Sequence, residues 1–186
     1  MIARLRSEQG LGLVEFIIYA ALTLTILSAL GGVVISMVSV QNQVMDSANA
    51  AEQAQLISRS VNSGVRNATA VDLQTVNSVD QILRVRTASG ASTAVWSCQA
   101  WYFSSVSKSL RMKTSATAIA NPTQQDLDGW TLLASGVTAP QGQQIFLMSG
   151  SKLSLAFAEQ KAKETPIIIR TSVSQRGGVR ISAPCF

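Results

Sequence analysis

Phe16–Val40 reads FIIYAALTLTILSALGGVVISMVSV, 25 residues in which nothing is more polar than Thr or Ser. The charge-free run continues to Met45 and is 30 residues long. As a helix rising about 1.5 Å per residue, Phe16–Val40 reaches roughly 38 Å, more than the ~30 Å hydrocarbon core of a bilayer. Core helices of soluble proteins are seldom this long or apolar on every side, so the stretch predicts a membrane span.

The flank before the span, MIARLRSEQG, carries Arg4 and Arg6. Basic residues ahead of a first span predict a cytoplasmic N-terminus and an exterior location for everything that follows. The sequence after the span, ISMVSVQNQ, is a poor cleavage site for a conventional secretory signal. Gly10 instead precedes the apolar run, and Glu15 stands at its entry. A lone carboxylate there is costly in lipid and reads as a functional residue.

The whole chain has 186 residues, 47% hydrophobic and 13% charged, with a net charge of +5. That charge content is about half the usual share, which excludes a disordered polyelectrolyte. No histidine is present, which removes Ser–His and Cys–His catalytic pairs and imidazole zinc sites. Two cysteines cannot form a four-thiolate centre. With no grouped carboxylates at catalytic spacing, the sequence predicts no enzyme, no cofactor and no metal site.

Gly10-Leu11-Gly12-Leu13-Val14-Glu15, between a basic leader and a long apolar run, resembles the class III signal of type IV prepilins and type II secretion pseudopilins. The resemblance implies a leader of residues 1–10, removed between Gly10 and Leu11 by a prepilin peptidase on the cytoplasmic side. Leu11, where Phe is commonest in the family, would then be the N-methylated residue. The apolar helix would be stored in membrane lipid and afterwards form the filament core. Glu15 would pair with the new N-terminal amine of a neighbouring subunit, which supplies the cation a carboxylate in low dielectric needs. Implied partners are other pilin subunits, the peptidase and an inner-membrane assembly platform.

Downstream of the span, Val44, Ala48, Ala51, Ala54, Ile57, Val61 and Val65 recur at helical spacing, and Gly64 is a plausible stop. One helix over 11–64 is predicted, about 80 Å long, with about 16–40 transmembrane and 41–64 packed on a head of residues 65–186. Gly31-Gly32 within the span would allow either close helix contact or local unwinding.

In the head, strand-like runs occupy Val71–Val76, Ile82–Thr87, Ala94–Ser104, Ser109–Lys113, Trp130–Leu133, Ile145–Met148, Lys152–Phe157 and Ile167–Val173. Turn clusters separate them, among them Ala88-Ser89-Gly90, Asp126-Leu127-Asp128-Gly129, Ser149-Gly150-Ser151 and Glu164-Thr165-Pro166. The fold class is therefore α+β: a pilin-like long N-terminal helix packed on an antiparallel sheet. Trp96, Trp101-Tyr102-Phe103 and Leu110-Arg111, then Gly129-Trp130, Leu133 and Gly136-Val137, resemble the sheet pattern of minor pilins and J-type pseudopilins.

Cys98 and Cys185 both fall in the exterior part, where disulfides persist. Their pairing is expected, with two buried thiols as the alternative. Arg84 with Arg86, and Arg111 with Lys113, alternate with apolar neighbours and are expected on an outward strand face. A solvated strand face is expected, with contact to DNA phosphates as the alternative. Asp126-x-Asp128-Gly129 resembles a calcium loop but lacks the remaining ligands, so a turn is expected.

The reading is a single-pass membrane protein that becomes a minor pilin of a cell-surface pilus. A subunit of a periplasmic type II secretion pseudopilus is the alternative within the class. A monomeric, membrane-anchored exterior ligand-binding domain is the alternative outside it.

Overall fold

A computed structural model describes residues 9–89, 95–140, 143–159, 167–176 and 185–186. Most of the expected leader, Gly90 and the Glu164-Thr165-Pro166 turn lie outside the described residues. The chain divides into two compact units, one up to Met45 and the other Asp46–Phe186.

Helix α1 runs over Gln9–Arg66. It therefore begins two residues before the expected start and passes through the Gly10–Leu11 bond. In the first unit its sequence is rich in Ala, Leu and Ile and free of proline, which suits unbroken helix. Three hydroxyls of the apolar stretch bond back to the preceding turn: Thr23 to the Tyr19 carbonyl at 2.7 Å, Thr25 to Leu22 at 2.8 Å, and Ser28 to Thr25 at 2.9 Å. A helix that satisfies its own polar groups in this way is suited to lipid. Every residue from Gly12 to Asp46 is exposed, and this one helix is long and apolar enough to cross a membrane.

In the second unit α1 packs on antiparallel sheet. The first sheet is a five-stranded meander, in spatial order β1 (Ala68–Val76), β2 (Asp80–Ser89), β3 (Val95–Ser104), β4 (Ser109–Ser115) and β5 (Thr131–Ser135). The β1–β2 connection places Asn77 and Ser78 at φ of 50° and 67°, the left-handed pair that suits a tight hairpin. The second sheet centres on β8 (Lys152–Glu159). β9 (Ile167–Ser174) lines one side of it; β6 (Val137–Thr138) and β7 (Phe146–Ser149) share the other. Between β4 and β5 lies a one-turn helix, α2 (Gln124–Asp128).

Ala54, Ile57, Val61 and Val65 of α1 are fully buried. They meet Leu83, Trp101 and Phe103 from the first sheet and Phe146, Leu155 and Phe157 from the second. The expected stripe is corrected at its start: Val44 is 62% exposed and Ala48 is also exposed, whereas Ala50 is buried. Packing on the head therefore begins later than residue 41.

Gly64 is also corrected. It does not stop α1, which continues to Arg66. A Cβ at Gly64 would overlap Cη2 of Trp101 on β3, so the glycine lets helix and sheet approach closely. Trp101 is fully buried, and its indole Nε1 donates to the Ser60 hydroxyl at 3.0 Å.

The two sheets are joined through Gln81. Its side-chain Nε2 donates to the Phe146 carbonyl at 2.9 Å, and its Oε1 accepts from the Phe146 amide at 3.0 Å. The side-chain amide thus serves both halves of a backbone pair, which removes the cost of burying it.

Behind the first sheet lies a second cluster: Ile82, Cys98, Ala100 and Tyr102 on the strands, with Ile119, Leu127, Trp130 and Cys185 over them. The Asp126–Gly129 stretch, expected as a turn, forms the end of α2. Thr123 caps this helix, with the Thr123 side chain and Asp126 satisfying each other's backbone amides.

Candidate functional site

The residues singled out in sequence fall in two places. In the first unit, Glu15 is exposed and is the only charged residue between Gln9 and Met45. It follows Leu11 by four residues along α1. Gly31 and Gly32 are α-helical, and a Cβ on either would meet no atom within 4 Å. The backbone is thus regular at both glycines, and neither accommodates a neighbour within the chain.

In the second unit, Cys98 and Cys185 form a disulfide, with Cα atoms 5.4 Å apart across a sequence separation of 87. It fastens the last described residues to the middle strand of the first sheet. The Cys185 carbonyl also accepts from the Ile119 amide at 3.2 Å. Tail and 116–130 segment therefore hold one another over the sheet.

That cover corrects the expectation for the basic residues. Arg84 and Arg86 do share a face, but it is covered, and the two are only 5% and 9% exposed. The Arg84 guanidinium forms an ion pair with Asp72, with Nε at 3.0 Å from Oδ2. It also donates to the Ile119 carbonyl at 3.1 Å and to Asn121 Oδ1 at 3.4 Å. Burial of a guanidinium requires such a full set of acceptors. The Arg86 guanidinium lies 3.6 Å from the Trp96 ring centroid, a cation–π geometry. Arg111 is half-buried and donates to the Leu127 carbonyl at 2.9 Å, holding the end of α2. Lys113 alone of the four stays exposed, with its ammonium 5.8 Å from the Trp130 ring centroid. The four cations therefore do not form an open phosphate-binding face.

Two titratable groups are shifted. The Tyr102 phenol is pushed up to about 12, first by burial, then by its hydrogen bond to Asp80 and that carboxylate's charge. The bond measures 2.9 Å, and the same Asp80 accepts from the Ser105 amide and hydroxyl, each at 2.7 Å. Asp126 is held below the usual carboxylate range, first by the Thr123 hydroxyl and next by the Thr123 amide. Among the described residues no group of three or more His, Cys, Asp or Glu side chains is placed to hold a metal ion.

Sequence reading passed over an open groove of about 820 Å³ on the second sheet. Lys152 and Ser154 of β8, Arg170 and Ser172 of β9, Leu147 of β7 and the adjacent Gln144 line it. The signal was present as polar alternation, Lys152-x-Ser154 and Arg170-x-Ser172, on strands whose other face is apolar.

These features define an α+β chain with a long, exposed apolar N-terminal helix and a disulfide-closed, two-sheet head. Comparison with family models, with curated proteins and with solved structures finds no match.

Proposed function

We propose that this chain is a prepilin-like structural subunit, a minor pilin of a type IV pilus or a related filament. The observation that carries the reading is the exposure of every residue from Gly12 to Asp46 on a helix that shields its own hydroxyls. Such a surface needs lipid or copies of itself. Paired with the Gly10–Leu11 motif and the lone Glu15, it favours storage in a membrane followed by helix-to-helix assembly. In this mechanism peptidase cleavage creates the Leu11 amine, and Glu15 of one subunit neutralises the amine of the next. Helix contacts then replace lipid as the assembly platform extracts each subunit. The head, with its own core and disulfide, faces outward.

The test is intact mass and N-terminal sequencing of membrane-extracted protein, produced with and without a prepilin peptidase. A peptidase-dependent start at Leu11 bearing one methyl group is expected. A chain still beginning at Met1 in both cases overturns the proposal. Glu15→Gln should then abolish filament formation while leaving cleavage and the folded head intact, as seen by electron microscopy and head-domain fluorescence.

A further inference from the structure

The groove on the second sheet holds polar side chains that the fold itself does not use. β8 and β9 pair with Lys152 opposite Ser174, Ser154 opposite Ser172 and Ala156 opposite Arg170. Alternation along the strands therefore sets these two cations and the Ser154 and Ser172 hydroxyls on one face, with the hydroxyls between the cations. At about 3.3 Å per residue and 4.8 Å between strands, the Lys152 and Arg170 Cα atoms lie roughly 14 Å apart. Gln143 and Gln144, both exposed, add their amides to the lining. None of these side chains has a hydrogen-bond or ion-pair partner among the described residues. Arg84 and Arg111, by contrast, are taken up by acceptors of the head itself. Among the described residues no acidic side chain lines the groove.

These groups define a ligand by what they can bond. Lysine and arginine offer only donors and positive charge, so they call for anionic oxygens at two separated points. Ser and Gln side chains both donate and accept, which suits a ligand rich in hydroxyls, since a hydroxyl also does both. An open volume of about 820 Å³ is the size that takes a drug-sized ligand, room for several linked rings where a small anion would be lost. Anionic groups carried on a hydroxyl-rich body are the chemistry of an acidic polysaccharide. An acidic peptide fits less well, because its backbone groups pair best along a strand edge and this groove lies on a sheet face. Single-stranded nucleic acid would stack on aromatic rings, and none lines the groove among the described residues.

We propose that this groove binds a polysaccharide bearing carboxylates, a polyuronate in its simplest form. Lys152 and Arg170 each take one carboxylate, and Ser154 and Ser172 bond the sugar hydroxyls between them. No residue of α1 lines the groove, so the proposal stands whether or not the chain assembles.

The test uses the full chain in neutral detergent micelles and a fluorescent oligomer of polygalacturonate, with binding read by anisotropy. Saturable binding that weakens with added salt is expected. Lys152→Gln and Arg170→Gln should each weaken it about tenfold. Lys113→Gln, which removes the same charge elsewhere on the head, should leave it nearly unchanged. Ser154→Ala combined with Ser172→Ala should weaken binding of the sugar oligomer and leave that of polyglutamate as it was. The methyl-esterified oligomer, which keeps the sugar and loses the charge, should not compete. Circular dichroism checks that each variant is folded. Equal losses from Lys113→Gln and from the groove variants would mean attraction to overall charge and overturn the site. Polyglutamate binding as tightly as the sugar, with the serines indifferent to both, would assign the groove to acidic polypeptide and overturn the polysaccharide. Competition by the esterified oligomer, or no binding of the charged one, also overturns the proposal.

Discussion

Trp101 occupies the space that a side chain at residue 64 would need, so the closest approach of helix and sheet in the head depends on Gly64 having none. The ring is fully buried and tied to Ser60 one turn earlier in α1.

Gly64→Ala is expected to destabilise the head by about 1–3 kcal/mol through overpacking, measured by urea denaturation with tryptophan fluorescence. Ala is otherwise better than Gly in a helix by roughly 1 kcal/mol. In a Trp101→Phe background, where the overlapping atom is gone, the same substitution should therefore become neutral or stabilising. Equal destabilisation in both backgrounds would show that the ring is not the obstacle.

Gln81→Leu removes both hydrogen bonds to Phe146 and leaves a buried amide and carbonyl unpaired, an expected loss of about 2–4 kcal/mol. Hydrogen exchange should quicken at the Phe146 amide more than at amides inside β2 or β8. Uniform acceleration across both sheets would argue that Gln81 does not specifically couple them.

Loss of the Cys98–Cys185 bond, by either Cys→Ser change, should lower stability by roughly 4–5 kcal/mol on the chain-entropy account of its loop. Replacing both cysteines should cost no more than replacing one, and reductant should leave the variants unaffected. Denaturant midpoints measured with and without reductant check this.

Tyr102 gives a pH signature whose sign is fixed. Its phenol titrates at about 12 in the folded head against an ordinary 10.0. Between these values the unfolded chain has released a proton that the folded chain retains. Its contribution is therefore complete below pH 10 and is lost as pH rises toward 12. In a Tyr19→Phe chain, which leaves Tyr102 as the one tyrosine, phenolate absorbance should appear late and together with unfolding. An ordinary midpoint in the folded protein would contradict the Asp80–Tyr102 contact.

Much of the architecture was legible because it is written in periodicity and charge. Helix α1, expected over 11–64, is observed over Gln9–Arg66, and the described part of each expected strand run lies at or within one residue of a strand. β6 was not among the expected strand runs because two residues carry no period, and α2 was read as a turn because a single helical turn looks like any Asp- and Gly-rich loop. The exposure of Arg84 was misread for a different reason. Alternation tells which residues share a face, but only tertiary structure tells that the 116–130 segment covers it. The unit boundary at Asp46 was placed five residues early, since the polar Gln41-Asn42-Gln43 marks where the apolar stretch ends and not where the second unit begins. Of the site residues, Glu15 and the cysteine pair stood out by rarity, whereas Lys152 and Arg170 are ordinary residues until register sets them on one groove.

Cys185 follows every described strand of the head in the order of synthesis. The covalent lock on β3 therefore cannot close until β1 to β9 have all been synthesised, and these strands are made before it exists. Closing it is an oxidation that comes after the synthesis of those strands. A cell can regulate that step independently of translation, through its supply of thiol oxidant.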